Sequence, residues 1–381
     1  MAIENVISAQ TFKPERVIYL VPGPVGEYGH IRASLQDFFI SKGLDLELKF
    51  VQCSQYKADR IYSQLVVLGE KYDDLAIEVT GGNDAALFAA GMFCKDHNIP
   101  AFTYSRHSSR FYDIMNASFA DGRLCDLTYS VEDFFKMAGG TMRKGRVDNR
   151  ILSQYDQYIN GFFDIFMKYK HTWPDAVTFF QRISRGQNEE GMNLQVTGDL
   201  EQKGEHGRRV HGDRKMLQSL EKLGFIENLS FQEDNIVSFK FKDVQVRTWL
   251  RDVGEALELY IYRACRNAGI FDDVVSSAIV DWDGTVGHDS VSNEIDVVAT
   301  RGIKPVFISC KACEIKTEAL NELAILKQRF GGKGAKAIIV STEKCNAAAR
   351  HRAAQLGIAV IDVEEIISGG VVDRIKVIMK C

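Results

Sequence analysis

Short apolar runs alternate with stretches of helical spacing through the first third of the chain. "RVIYLVPGP" is a continuous apolar run stopped by Pro22 and Gly23, the pattern of a strand buried on both faces. "HIRASLQDFFISKG" follows with apolar residues every three or four positions and a terminal glycine, which predicts a helix. "LDLELKFVQC" predicts a second strand, and residues 56–72 a second helix. "DLAIEVTGG", "NDAALFAAGMFCKD" and "PAFTYS" continue as strand, helix and strand. Such alternation predicts a parallel sheet with helices on its faces.

The period then changes. Residues 130–185 carry helical spacing throughout, as in "YDQYINGFFDIFMKY". The polar, Gly- and charge-rich stretch "RGQNEEGMNLQVTGDLEQKGEHGRRVHGDRK" predicts a loop or hairpin. "KMLQSLEKLGFIENLSFQEDNIVSFKFKD" reads as a helix, a glycine stop and two alternating strands, a winged-helix-like pattern. Arg208, Arg209, Arg214 and Lys215 gather there, either as phosphate contacts or as an ordinary solvated face. Residues 244–268 predict one long helix, and "DDVVSSAIVDW", "NEIDVVAT" and "PVFISCK" predict three strands. A helix from about Thr317 to Phe330, the strand "KAIIVST", the helix "AAARHRAAQLG" and the strand "IAVIDV" complete an α-β-β-β-α-β order.

Composition narrows the class. A chain of 381 residues suits two or three domains. Its 45% hydrophobic and 26% charged residues are ordinary for a soluble protein. The net charge of −4 excludes a polycation, so any nucleic-acid contact rests on a local basic surface or a metal. With no run of 18 apolar residues and no signal-peptide pattern, the expectation is a cytoplasmic protein with no membrane partner. Cys310 and Cys313 form the only CxxC, without nearby histidines, so the eight cysteines are expected to be buried or inert.

Two regions carry chemistry. Ligands of a parallel sheet bind beyond its C-terminal strand ends. Two glycine turns fall there: "GPVGEYG", Gly23 to Gly29, and "TGGND", Thr80 to Asp84. Glycines let a ligand approach the backbone, and a helix N-terminus offers N–H groups to phosphate. A tight turn with Asn83 or Asp84 as helix cap fits the same residues. The GxGxxG fingerprint and the P-loop are both absent, which argues against a dinucleotide enzyme or an ordinary ATPase. In the C-terminal region, strand alternation puts Glu294 and Asp296 on one face, and Ser309 and Lys311 on one face of the next strand. "RGIKP" is short enough to join them as a hairpin. An acid pair facing a lysine suits phosphodiester hydrolysis. The carboxylates hold a hard cation that activates water, and the lysine orients that water or meets the charge on phosphorus. A surface hairpin with a plain Asp296–Lys311 ion pair fits the spacing too.

The topology and these residues together resemble a known family. Residues 244–381 resemble the PD-(D/E)xK restriction-endonuclease fold, with Asp296 at the aspartate and Lys311 at the lysine of its signature. Glu258 in "ALELYIY" is similar to the acid that many members carry on the first helix, and Gln328 in "LKQRFGG" to a polar residue on the helix after the motif. Ser309 departs from the pattern, standing where the family has Asp or Glu. The resemblance implies catalytic Asp296, Lys311, Glu294, Glu258 and Ser309, with Asp296, Glu294 and Glu258 on Mn²⁺ or Mg²⁺. Residues 1–145 resemble a CARF domain, the Rossmann-like sensor of cyclic oligoadenylates in type III CRISPR immunity, through "VIYLVPGP" and "EVTGGNDAALFAAG".

The whole chain is thus similar to the CARF-nuclease effectors. The expected architecture is an α/β chain with a Rossmann-like CARF domain at 1–145, a helical and winged-helix-like middle at 146–243, and a restriction-endonuclease-like αβββαβ domain at 244–381. The resemblance further implies a homodimer binding one cyclic tetra-adenylate through Pro22, Gly23, Thr80, Gly81, Gly82, Asn83, Asp84 and Arg106, with Arg110 as a further candidate. The implied substrate is single-stranded DNA or RNA. Ser309 keeps a second reading open, a non-catalytic CARF/winged-helix DNA-binding regulator with a degenerate nuclease domain. A nuclease that needs no activator is a third.

Overall fold

The protein, a computed structural model, is described for residues 3–143, 149–185, 194–203, 208–281, 292–331 and 334–380. Its first elements are α1 (Glu4–Phe12), β1 (Arg16–Val21), α2 (Gly29–Ser41), β2 (Glu47–Gln52), α3 (Ala58–Lys71), β3 (Ile77–Glu78), α4 (Asp84–His97), β4 (Ala101–Ser105), β5 (Arg110–Met115), α5 (Val131–Met137) and β6 (Thr141–Arg143). The predicted alternation holds for β1 to β4. β1 runs parallel to β2, with Tyr19 opposite Phe50, and β3 runs parallel to β4. The sheet is not parallel throughout, because β5 returns antiparallel to β4. β5 keeps only Phe111 buried, so its apolar pattern is too thin to predict a strand. The third strand is also shorter than predicted, a two-residue ladder, and no hydrogen bonds link it to β1 among the described residues. Leu20 of β1 nevertheless packs with Ile77 and Val79 on one apolar cluster around Ile61, Ala89 and Phe93.

The middle follows with α6 (Asn149–Lys168), α7 (Trp173–Ile183), β7 (Gln195–Asp199), β8 (Glu201–Lys203), β9 (Arg209–His211), α8 (Arg214–Leu223), β10 (Ile226–Phe231) and β11 (Ile236–Phe241). The winged pattern gains a third strand, since β7 joins the sheet in the order β10-β11-β7. α8 is capped by the Asp213 carboxylate, which accepts from Lys215 N and Met216 N, and ends at Gly224 with φ +83°. Its stripe Met216, Leu217 and Leu220 is buried.

The last elements are α9 (Val244–Trp249), α10 (Glu255–Asn267), β12 (Asp273–Asp281), β13 (Ser292–Arg301), β14 (Lys304–Lys311), α11 (Thr317–Leu326), β15 (Lys336–Ser341), α12 (Ala347–Gln355), β16 (Ile358–Ile361), α13 (Val363–Ile367) and α14 (Val371–Lys380). The expected single helix over 244–268 is two helices. The Asp252 carboxylate accepts from Gly254 N at 2.9 Å, a local bond that competes with the helical ladder, and Gly254 then caps α10. The longest sheet has the order β16-β15-β14-β13-β12-β6. β12 and β13 are antiparallel, with Val274 opposite Ala299 and Ile279 opposite Glu294. β13 and β14 are joined through Gly302 at φ +54°, the hairpin expected of "RGIKP".

The chain packs into two units. The first comprises Met1–Gly145, Ile270–Phe307 and Glu322–Ala337. Within it β6 pairs antiparallel with β12, the Thr300 hydroxyl donates to the Tyr129 carbonyl at 2.6 Å, and Val131 N donates to Asp273 Oδ2 at 2.8 Å. The second comprises Arg146–Gly269, Ile308–Asn321 and Ile338–Cys381. There α6 and α10 meet through the stacked rings of Phe163 and Tyr260, and Tyr155 stands edge-on to Trp249. Among the described residues no helix is long and apolar enough to cross a membrane. Cys310 is buried and Cys313 exposed.

Gly212 marks a close approach in the second unit. A methyl there would stand 2.8 Å from Phe179 Cζ and 2.9 Å from Leu200 Cδ1, two buried side chains with nowhere to swing. Gly212→Ala is expected to destabilise the protein by about 1–3 kcal/mol through overpacking. Chemical denaturation checks this, and a midpoint at or above that of the unchanged protein refutes it.

Candidate functional site

The N-terminal candidates lie at the C-terminal ends of β1, β3 and β4. Cys53 N donates to Val21 O at 2.8 Å, which joins the exits of β1 and β2. The Asn83 side chain donates to Gln55 O at 2.6 Å and accepts from Ala86 N at 2.9 Å. One residue thus caps α4 and ties its loop to the exit of β2. Thr80, Gly81, Gly82 and Asn83 form that loop, with Gly82, Asn83 and Asp84 exposed. Gly82 has φ +140°, a conformation that L side chains rarely adopt, so the glycine is a backbone requirement. Pro22 is exposed and Gly23 half-buried at the exit of β1, before a short 3₁₀ turn at Val25–Tyr28.

Beneath the loop is a polar cluster that sequence reasoning missed. The Thr80 hydroxyl donates to Glu78 Oε1 at 2.7 Å and accepts from Tyr104 N at 2.8 Å. The Ser8 hydroxyl of α1 donates to Glu78 Oε2 at 2.5 Å. Burial pushes the Glu78 carboxyl up to about 7, and the hydrogen bonds from Ser8 and Thr80 pull the other way. Arg106 pairs with Glu4 of α1, and burial lowers its pKa. It therefore turns into the protein, whereas Arg110 on β5 is exposed and donates to Gly122 O. The available signal was Glu78 itself, an acid inside the apolar run "DLAIEVTGG".

The C-terminal candidates lie on β13, β14 and α10. Glu294 is exposed and Asp296 half-buried on β13, with Ile295 and Val297 buried between and beyond them. Alternation thus puts the two carboxylates on the less buried face. Ser309 and Lys311 are half-buried on β14, flanking buried Cys310. Glu258 lies in the first turn of α10, where the helix dipole favours a carboxylate. It reaches back over Gly254, so that a Cβ at Gly254 would stand 2.7 Å from Glu258 Oε1. Opposite Asp296 the ladder is unusual. Ser276 faces Val297 and Ala278 faces Ile295, while the intervening Ser277 is buried with φ +52°. Among the described residues no group of three or more His, Cys, Asp or Glu side chains gathers as a metal-binding cluster.

Residues 245–376 match the family described as Card1-like, endonuclease domain. Among curated proteins none matches the chain in sequence. Of solved structures, protein VC1899 from Vibrio cholerae is similar at 17% identity and TM-score 0.74, over 100% of this chain and 96% of that one. Can2 from Sulfobacillus thermosulfidooxidans, solved in complex with cyclic tetra-adenylate, is similar at 18% identity and TM-score 0.67, over 97% and 95%. The fold of the whole chain is the one these two structures share, mixed α/β throughout.

The matched residues 245–376 hold further features that the sequence pattern does not reveal. Asp281, fully buried, ends β12 opposite Ser292, on the ladder face that carries Glu294. Gln328 is exposed in a π-helical turn, Lys327–Gly331, the kind of irregularity often found at functional sites. Burial and the neighbouring Lys336 lower the pKa of Lys327 in that turn.

Glu78 makes the first unit pH-sensitive. Its folded pKa of about 7 lies above the ordinary 4.5, so the unfolded chain ionises first as pH rises. Stability is full below the lower value, falls between the two, and reaches its full penalty above the higher one. That penalty is on the order of 3 kcal/mol at most. Thermal melts between about pH 5 and pH 8 should show a steeper loss in wild type than in Glu78→Gln. Equal slopes would mean that Glu78 is not the group responsible.

Proposed function

We propose that the chain is a cyclic-oligoadenylate-activated, metal-dependent endonuclease of type III CRISPR defence, cutting single-stranded DNA or RNA and working as a homodimer. The observation that carries the reading is the pair Glu294 and Asp296, alternating on β13 inside a Card1-like endonuclease domain. In this reading residues 1–145 sense the activator, 146–243 form the winged middle and 244–381 cut. The loops at Gly23 and Thr80–Asn83 would take the phosphates of the ring. They have the exposed backbone and the capped helix N-terminus that such a ligand needs. Cyclic tetra-adenylate, the ligand bound to the similar Can2, is the activator proposed here.

The donor set fits a divalent cation. Mg²⁺, or similarly Mn²⁺, is held by one or two carboxylates together with waters and substrate phosphates, so no closed protein cage is required. Asp296 and Glu294 would hold it, with Glu258 as a further acid. When bound, such a cation supplies an activated water and neutralises charge on the scissile phosphate. Lys311 orients the attacking water or stabilises the charge that develops on phosphorus. Ser309 adds a neutral hydroxyl where an acid is usual, so Glu294 is assigned the missing carboxylate. The regulator reading loses support in the middle region: Arg208 pairs with Asp175 at 2.8 Å and Arg209 with Glu201 at 2.6 Å, which offsets the charge offered to DNA.

Cleavage of a labelled single strand with Mn²⁺ and cyclic tetra-adenylate tests the site. Asp296→Ala and Lys311→Ala should each lower the rate by at least about 10²-fold. Glu294→Ala should be nearly as severe and Ser309→Ala mild. Full activity in Asp296→Ala or Lys311→Ala places the chemistry elsewhere, and unchanged activity in Glu294→Ala removes its assigned role. Gly82→Val, forced into a strained backbone, should weaken activator binding by about tenfold or more in calorimetric titration. Equal affinities would rule out this loop as the cradle.

A further inference from the structure

Lys170 joins two parts of the second unit that are far apart in sequence. It lies in the connection between α6 and α7, and its ammonium donates to the Thr342 carbonyl at 3.3 Å and to Glu343 Oε1 at 3.0 Å. That connection is held in shape. Thr172 N donates to Tyr169 O at 2.9 Å, and the fully buried Trp173 packs against Phe162 and Phe166. The side chains of Lys170 and Glu343 are 22% and 40% exposed.

The residues that Lys170 meets stand at the exit of β15, beside the exit of β14. Thr342 N donates to Lys311 O at 3.1 Å. The Ser341 hydroxyl donates to Cys313 O at 2.8 Å and accepts from Glu343 N at 3.0 Å. The Asn346 side chain donates to Glu314 Oε1 at 2.7 Å. Lys311 is the last residue of β14, where the regular ladder stops, so its backbone is fixed by these bonds. A lysine carries its charge on a flexible stem, and misplacing a reacting group by about 1 Å can cost a large share of the rate.

We infer that Lys170 is a positioning residue for Lys311: it holds Thr342, and Thr342 holds the end of β14 from which the Lys311 side chain projects. The inference rests on the proposed function, which gives Lys311 the attacking water or the charge on phosphorus. The pair with Glu343 taken alone ties two partly exposed side chains, and such pairs contribute little. The bond to the Thr342 carbonyl differs in kind, because it fixes the one residue whose N–H reaches the Lys311 backbone. The middle region thereby acts on β14 without touching nucleic acid, in keeping with the pairing of Arg208 and Arg209 to acids of the same region.

Cleavage of a labelled single strand by the full chain, with Mn²⁺ and cyclic tetra-adenylate, is the first test. Lys170→Met keeps the apolar stem and removes the ammonium. It should lower kcat about tenfold, with KM within about twofold of wild type and the melting temperature little changed. Lys170→Arg restores a donor to the carbonyl and should recover most of the rate. An unchanged kcat in Lys170→Met overturns the inference. So does a loss that lies in KM and fades at low salt, the mark of a residue that touches nucleic-acid phosphate. Hydrogen exchange at the Thr342 amide reads the hold on β14 apart from any activity. Exchange should be about tenfold faster in Lys170→Met, and equal exchange overturns the inference whatever the rates. If wild type cuts nothing while Lys170→Met loosens the Thr342 amide, the proposed function fails and the hold on β14 stands. If wild type cuts and Lys170→Met cuts equally well, the function stands and the positioning role is refuted.

Discussion

A carboxylate held away from water has to be met by donors, and Glu78 is met by two hydroxyls from different parts of the chain. Ser8 reaches it from α1 and Thr80 from the loop above. The same helix carries Gln10, whose side-chain oxygen accepts from the Tyr129 hydroxyl, and the Tyr129 carbonyl accepts from Thr300 on β13. The glycine loop and the strand bearing Asp296 therefore belong to one hydrogen-bonded framework within a single unit. Thr80 is the adjustable piece, since its hydroxyl donates to Glu78 while accepting from Tyr104 N. A phosphate at the loop would compete for the hydrogen that Glu78 now receives. A ligand acts on such a framework only as far as it prefers one of two arrangements, and the shared hydroxyl offers a physical difference between them.

The ladder of β12 and β13 imposes the second constraint. Its register is the same on both sides of Ser277, so no residue is inserted, yet Ser277 is held at φ +52° inside the sheet. A non-glycine residue in that region costs on the order of 1 kcal/mol or more, and it persists only where its surroundings over-determine it. The Ser276 hydroxyl lies 3.5 Å from the Asp296 carbonyl beside it. The strained residue stands across from the half-buried carboxylate on which the proposed chemistry depends. Backbone strain of this kind collects where a side chain must be aimed rather than merely packed.

Much of this was legible in the chain. The strand–helix alternation before residue 105, the hairpin at Gly302 and the αβββαβ order follow from apolar period and turn chemistry, which are local. The misses share a different origin. The break between α9 and α10 depends on one bond from Gly254 N to the Asp252 side chain, invisible in a helical period that continues through it. α1 has no clear apolar stripe, because its buried face includes Glu4 and Ser8, polar residues kept inside by partners distant in sequence. The Glu78 cluster was hidden for the same reason. An acid in an apolar run signals that some donor exists, but only the fold says that it is Ser8. The acids of β13 stood out because strand alternation places them by a rule of two, with no distant partner required.

Exposure separates the two acids of β13. Asp296 is already half out of water, flanked by buried Ile295 and Val297, so its charge has been partly desolvated during folding. Glu294 is exposed and has lost little hydration. A site with two deeply buried carboxylates would suffer their repulsion in the resting protein. In the proposed site one acid is half-buried on the ladder and the other is exposed, which lessens that repulsion. A serine at 309 suits that proposal, because a neutral hydroxyl carries no negative charge of its own.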